Sequence, residues 1–399
     1  MKIYTLPLMA IFIVIFSACA ASPSIPNATN APADLPQDNP PTAPTLLPIE
    51  SPPIGAEREF ITDFSLHTVP YDEILSGGPP KDGIPAIDNP KFVDVKSADE
   101  WLTPNEPVVS VQVGDEARAY PVQILIWHEI VNDTLNGKDL LVTFCPLCNT
   151  AIAFERTYDG KVLDFGTTGR LRYSNLIMYD RQTETWWQQA TGDAIAGKFA
   201  GSQLAYYPAA MIAWQDFRAA HPEGSVLSRE TGFSRDYGRN PYLGYDDIHQ
   251  TPFLYQGDKT PEKLPPMARV LTLEIDNEAK AYPYATLEKL NVVNDLVGSK
   301  PVVVFWTLGT ASALDAGNIS EGRDVGAAVA FSREVGGRTL AFAWDGEAIR
   351  DAETNSLWNI FGAAVDGALK GSQLSALPAI NHFWFSWAAF KPETKIYQP

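Results

Sequence analysis

The chain repeats itself. Asp115-Glu116-Ala117-Arg118-Ala119-Tyr120-Pro121 returns as Asn277-Glu278-Ala279-Lys280-Ala281-Tyr282-Pro283, and Val131-Asn132-Asp133 returns as Val293-Asn294-Asp295, both at a spacing of 162 residues (282 − 120 and 294 − 132). Two blocks held in one register predict two copies of one folding unit. Farther along, Gly201-Ser202-Gln203-Leu204 matches Gly371-Ser372-Gln373-Leu374, Trp187 matches Trp358, and His221-Pro222-Glu223 matches Lys391-Pro392-Glu393. The spacing there has grown to about 170 (371 − 201), as loop insertions would produce.

Within each copy, Val109, Val111 and Val113, like Leu271, Leu273 and Ile275, alternate as a half-buried strand does. Leu141 to Phe144 and Ala151 to Phe154 read as neighbouring strands, and Asp159-Gly160 as a hairpin turn. Short helical patterns follow Pro121 and Pro283 and recur near Ala209 to Ala220. The expected fold class is α+β, mainly antiparallel β with short helices, in two degenerate tandem copies. The first copy spans residues 58–227 and the second 268–399, with a connector at 228–267 rich in Gly, Pro, Tyr, Arg and Asp. That connector is too long for an ordinary loop and is expected to pack on one copy or line the cleft between them.

Ahead of the copies, Lys2 and the apolar run Ile11 to Phe16 read as a signal peptide over residues 1–18, and Phe16-Ser17-Ala18-Cys19 resembles a lipobox. Cys19 is therefore expected to carry lipid and tie an extracytoplasmic protein to a membrane. Residues 19–57 are dominated by Pro, Ala, Thr, Asn and Ser and read as a tether with too little apolar surface to fold. A formal charge of −18 without a Lys/Arg run argues against nucleic acid as a partner.

With Cys19 acylated, only Cys145 and Cys148 remain, in Phe144-Cys145-Pro146-Leu147-Cys148-Asn149. Aligned on the repeat, this segment falls on Phe305-Trp306-Thr307-Leu308-Gly309-Thr310, and His128-Glu129 on Leu290-Asn291. Both thiols and the histidine are absent from the second copy, so the fold does not need them. A disulfide across so short a loop contributes only about 2 kcal/mol by chain entropy, against about 4.7 for a hundred-residue loop. Stability is a weak reason for the pair; redox exchange and metal binding are the others. A thioredoxin-like pair needs a helix after the motif, whereas here a strand follows, which suits a zinc-type knuckle.

A knuckle supplies two ligands, and zinc or copper needs one or two more. His128 is the first candidate, either as ligand or as acid/base, with Glu129 or Asp180 as the acceptor behind it. Met178 would be a softer ligand suited to copper. His67, His221, His249 and His382 lie in loops or near helix ends, where core or solvated roles are expected. Three function classes stay open: a metal-binding protein using Cys145, Cys148 and His128; a thiol–disulfide oxidoreductase in which Cys145 attacks and Cys148 resolves; and a binding module in which the pair is a small structural disulfide.

Gly83 to Asp88, Trp127 to Asp133, Cys145 to Cys148, Met178 to Arg181 and Arg235 to Gly238 together resemble the bacterial envelope family called domain of unknown function 3179. The family confers no activity. The resemblance implies that Arg170, Arg181, Arg235, Asp236 and Tyr237 share a ligand-binding cleft with the thiols. No dinucleotide or P-loop glycine motif, nucleophile elbow or His-Glu-x-x-His occurs.

Overall fold

A computed structural model describes residues 45–257 and 263–399. The expected signal segment, Cys19 and the tether up to residue 44 lie outside the described residues. The fold is mostly antiparallel β with a few short helices. No helix of the described residues is long and apolar enough to cross a membrane.

In the first half, after short strands at Ile74–Ser76 and Phe92–Asp94, strands β1 (Pro107–Val113) and β2 (Glu116–Pro121) are joined by a tight turn in which Gly114 takes a positive φ of 62°. Pro121 leads directly into helix α1 (Val122–His128), which buries Val122, Ile124, Leu125 and Ile126. Glu129, in the left-handed region at φ 58°, ends the helix and turns the chain into β3 (Ile130–Leu135) and β4 (Lys138–Cys145). Asn136 and Gly137 supply the positive φ values of that hairpin. Strand β5 (Thr150–Glu155) then pairs with β4 along its length.

The second half opens with the same succession: β at Arg269–Ile275 and Glu278–Pro283, helix Tyr284–Leu290, then β at Val292–Val297 and Lys300–Thr307. Its helix also ends on a residue with positive φ, Asn291 at 57°. Matching hydrogen bonds accompany the matching elements. The Tyr120 hydroxyl donates to Asp133 at 2.6 Å, and that of Tyr282 to Asp295 at 2.8 Å. The Asn132 side chain brackets the backbone of Phe165, as that of Asn294 brackets Phe342. Trp187 donates its indole N–H to Asp180, and Trp358 to Asp351, each at 3.0 Å.

One alignment changes. The Phe144 N–H donates to the Glu129 carbonyl, and the Trp306 N–H to the Asn291 carbonyl, both at 2.8 Å. Trp306 therefore stands where Phe144 does and Thr307 where Cys145 does, one residue from the sequence alignment. Beyond that point the halves diverge: a single turn at 146–149 in the first is replaced by a loop at 308–326 in the second.

Strand Ile380–Phe383, near the C-terminus, pairs with Arg269–Ile275 on one side and meets β5 on the other, where Asn381 faces Ala151. One sheet thereby runs through both halves. The connector is zipped onto the loop at 308–326. Asn240 N–H donates to Gly317, Gly244 to Asp315 and Tyr245 to Leu314, while Ile319 N–H donates back to Gly238. Asp246, fully buried, receives Arg269, Arg323 and the Ser312 hydroxyl. The tether expected up to residue 57 ends sooner: Leu47 N–H donates to the His67 carbonyl and the His67 ring reaches the Pro48 carbonyl. Ala56 and Phe60 are buried against Tyr179 and Trp186.

Candidate functional site

Strand β4 ends at Cys145, a single 3-10 turn covers Pro146–Cys148, Asn149 closes it at φ 49°, and β5 departs from Thr150. Both cysteines are free thiols and both are buried, with 1% and 0% of their surfaces exposed. Their Sγ atoms converge on the Ser174 carbonyl, at 3.9 Å from Cys145 and 3.5 Å from Cys148. Tyr173 and Ser174 form the tip of the hairpin between strands Phe165–Arg172 and Asn175–Asp180, with φ of 51° and 68°. Those angles belong to a mirror-image turn that favours Gly and Asn. Non-glycine residues hold that strained conformation here and aim a carbonyl at both sulfurs.

Beneath the turn lies a buried amide network. Asn175 donates Nδ2–H to Cys148 Sγ at 3.4 Å and to Gln189 Oε1 at 2.8 Å, while Gln189 donates to Thr143 Oγ1 and the Thr150 carbonyl. Thr150 donates its hydroxyl hydrogen to the Cys148 carbonyl and so accepts from His382 Nδ1 at 2.8 Å. Burial drives the Cys145 thiol well above its ordinary range, and hydrogen bonding to Cys148 and the charge of that second sulfur add to the effect. The N–H groups of Leu176 and Cys148, directed at the Cys145 sulfur, act in the opposite sense.

Glu129, 7% exposed, follows His128 at the helix end; burial lifts its carboxyl well above the ordinary range, and the charge of Cys145 acts in the same sense. The connector supplies the roof. Burial raises the phenol of Tyr242, with the charges of Glu129 and Cys145 adding, and burial also raises that of Tyr245, which feels both sulfurs.

The profile of a family described as protein of unknown function, DUF3179, matches residues 81–394, which take in this site, both halves and the connector. The chain belongs to that family. No curated protein and no solved structure matches it.

In this member of DUF3179 the residues expected to join the thiols are largely held elsewhere. The His128 Nδ1–H donates to the Pro85 carbonyl at 2.8 Å, and Nε2 accepts from the Tyr237 hydroxyl at 2.7 Å. Tyr237 in turn accepts from Thr231 at 2.5 Å. Both ring nitrogens are thus spent within the protein, and burial lowers the imidazole pKa. Neither Glu129 nor Asp180 is its acceptor: Asp180 accepts from Thr183 and Trp187. Among the described residues no group of three or more His, Cys, Asp or Glu is placed to hold a metal ion, so the expected set of Cys145, Cys148 and His128 is not assembled. Met178 is fully buried in the core that also contains the thiols, on the strand Asn175–Asp180.

The five residues expected to share a cleft are dispersed. Arg170 pairs with Glu59, and Arg181 with Asp82 and Asp88. Arg235 and Asp236 are exposed, and Arg235 donates to the neighbouring Ser234 carbonyl. Tyr237 alone touches a predicted site residue, His128. An open cleft of about 460 Å³ lies in the second half, lined by Tyr284, Trp306, Leu308 and Arg269, and does not reach the thiols.

Glu129, Tyr242, Tyr245, Ser174, Asn175 and His382 had no assigned role at the thiols. Glu129 alone carried a signal, being the neighbour of His128 and falling on Asn291 in the repeat.

Proposed function

We propose that the protein is an extracytoplasmic, lipid-anchored thiol–disulfide oxidoreductase in which Cys145 and Cys148 cycle between dithiol and disulfide. The observation that carries this reading is that two free, buried thiols of one short turn converge on a single carbonyl, that of Ser174. Cys145 is the attacking sulfur, because backbone N–H groups from Leu176 and Cys148 are directed at it and favour its thiolate. Both sulfurs are buried, so the direct reaction partner is a small disulfide rather than a folded protein.

The anchor is acylated Cys19. The folded part is a tandem duplication whose second copy lost the thiols and kept the scaffold. The paired Tyr–Asp, Asn–backbone and Trp–Asp contacts support that reading. The loop at 308–326, where the second copy lacks the thiol turn, holds the connector that roofs the first copy's thiols.

The test is to equilibrate the full chain in buffers of reduced and oxidised dithiothreitol, trap with acid, and alkylate after denaturation. A single reversible transition that consumes both thiols, abolished by Cys145→Ser and by Cys148→Ser, is expected. Thiols that remain alkylatable throughout the series would rule the function out.

A further inference from the structure

We infer that Asn175 is a catalytic residue of the thiol pair, an N–H donor that stabilises the negative charge on Cys148 as that sulfur leaves the disulfide; the inference rests on the reading of Cys145 and Cys148 as a redox pair. The turn that aims the Ser174 carbonyl at both sulfurs is followed at once by Asn175, whose Nδ2 lies 3.4 Å from Cys148 Sγ. The orientation of that amide is fixed. Its Oδ1 accepts the Ala190 backbone N–H at 2.9 Å, a group that can only donate, and Gln188 Nε2–H at 2.6 Å. The NH₂ end therefore has one hydrogen for Gln189 Oε1 at 2.8 Å and one for the sulfur.

Asn175, Gln188 and Gln189 are all fully buried, where an amide is costly unless it is bonded. The second half shows that the scaffold does not need them. The Trp187–Asp180 bond recurs as Trp358–Asp351, and Met178 faces Trp187 as Ile349 faces Trp358, so this part of both halves keeps one spacing of 171 (358 − 187). At that spacing Asn175 falls on Gly346, Gln188 on Asn359 and Gln189 on Ile360. Asn359 turns its oxygen to the N–H groups of Phe361 and Ala363. The half that carries the thiols has the sulfur-bound amide, and the half without thiols has glycine in its place.

The chemistry follows from what the sulfur becomes. A thiol or disulfide sulfur is a weak acceptor and a thiolate a strong one, so the bond from Asn175 strengthens as charge develops on Cys148. This sets the direction of opening by a small thiol R–SH. Its thiolate attacks Cys145 Sγ, the Cys145–Cys148 bond breaks, and the electron pair stays on Cys148 against the Asn175 N–H. A second R–S⁻ attacks the R sulfur of the mixed disulfide and releases Cys145. R–S–S–R departs, and the two protons lost by R–SH end on Cys145 and Cys148. Exchange is faster the better the leaving thiolate is stabilised.

The test takes full-length protein oxidised with oxidised dithiothreitol, freed of the reagent and then reacted with 2-mercaptoethanol, as wild type and as Asn175→Ala. Samples are quenched in acid and labelled with N-ethylmaleimide in denaturant. Asn175→Ala should open at least about tenfold more slowly. The sign separates this result from loosened packing, which exposes buried sulfurs and speeds their reaction. In the wild type, which needs no variant to fold, tandem mass spectrometry of the early product should place 2-mercaptoethanol on Cys145 and N-ethylmaleimide on Cys148. An Asn175→Ala protein that opens as fast as the wild type or faster, or an early wild-type adduct on Cys148, overturns the role of Asn175. Wild-type protein that forms no disulfide in oxidised dithiothreitol overturns the redox reading itself.

Discussion

The Tyr237 hydroxyl lies 2.7 Å from Nε2 of His128, whose Nδ1 is already spent on Pro85. This contact fastens the connector to the end of helix α1 and takes His128 out of the thiol chemistry. Tyr237→Phe should lower the unfolding free energy by about 1 to 2 kcal/mol, because His128 and Thr231 each lose a partner. The rate of thiol oxidation should stay within about twofold, since removing a hydrogen-bond anchor leaves the reacting groups in place. Urea denaturation and the dithiothreitol assay check the two halves of this prediction; a drop in oxidation rate of about 100-fold would return His128 to the site.

Asp246 pins the connector from the other side. Burial works to raise its carboxyl, but Arg269, the Ser312 hydroxyl and Arg323 outweigh it and hold the group below the ordinary range. Asp246→Asn leaves Arg269 without its buried partner and should cost about 3 to 5 kcal/mol. With the pin weakened, Tyr242 and Tyr245 lift more often, and Cys145 and Cys148 should react with iodoacetamide at least about tenfold faster under native conditions. Unchanged alkylation in a measurably destabilised variant would mean that the connector is not the roof.

Much of the scaffold could be read before any coordinates because its repeated contacts are local in sequence. Tyr120 with Asp133 and Tyr282 with Asp295 are separated by the same short helix and the turn that ends it, so the motif survives as a spacing. The slip of one residue at Phe144 came from two largely apolar runs, Leu140 to Phe144 and Val302 to Trp306, that share no polar residue to mark their register. The closeness of Cys145 and Cys148 was legible in their spacing, whereas the direction taken by His128 was not. Its partners, Pro85 and Tyr237, are 43 and 109 residues away and leave no trace in local pattern. Of the five polar residues expected in one cleft, Arg170 and Arg181 serve separate ion pairs, Tyr237 bonds His128, and Arg235 and Asp236 are exposed.

The Trp–Asp contacts offer a test of the duplication. Asp180→Ala strips partners from Thr183 and the buried Trp187 indole, and Asp351→Ala does the same to Thr354 and Trp358. Each should destabilise by on the order of 3 kcal/mol. Thermal or urea unfolding that finds one substitution costly and the other neutral would show that the two motifs do not carry the same structural weight.

His382 gives the fold a defined acid sensitivity. Burial holds its pKa down at about 3, against an ordinary value of 6.5. The folded state keeps it neutral while the unfolded chain protonates, so its contribution is fully present above about pH 6.5 and is lost as pH falls from there toward 3. The stability difference between wild type and His382→Gln should therefore shrink through that window. A difference that is flat from neutral pH to pH 4 would contradict the burial of a neutral imidazole.

The most direct test of the central claim is the intact native mass of the full-length protein, desalted rapidly from oxidising and then from reducing buffer without chelators. The account predicts two species that interconvert, the oxidised one lighter by two hydrogen atoms, neither carrying zinc or copper. A single species that keeps one bound metal ion in reducing buffer, and loses it in Cys145→Ser and Cys148→Ser, would contradict it.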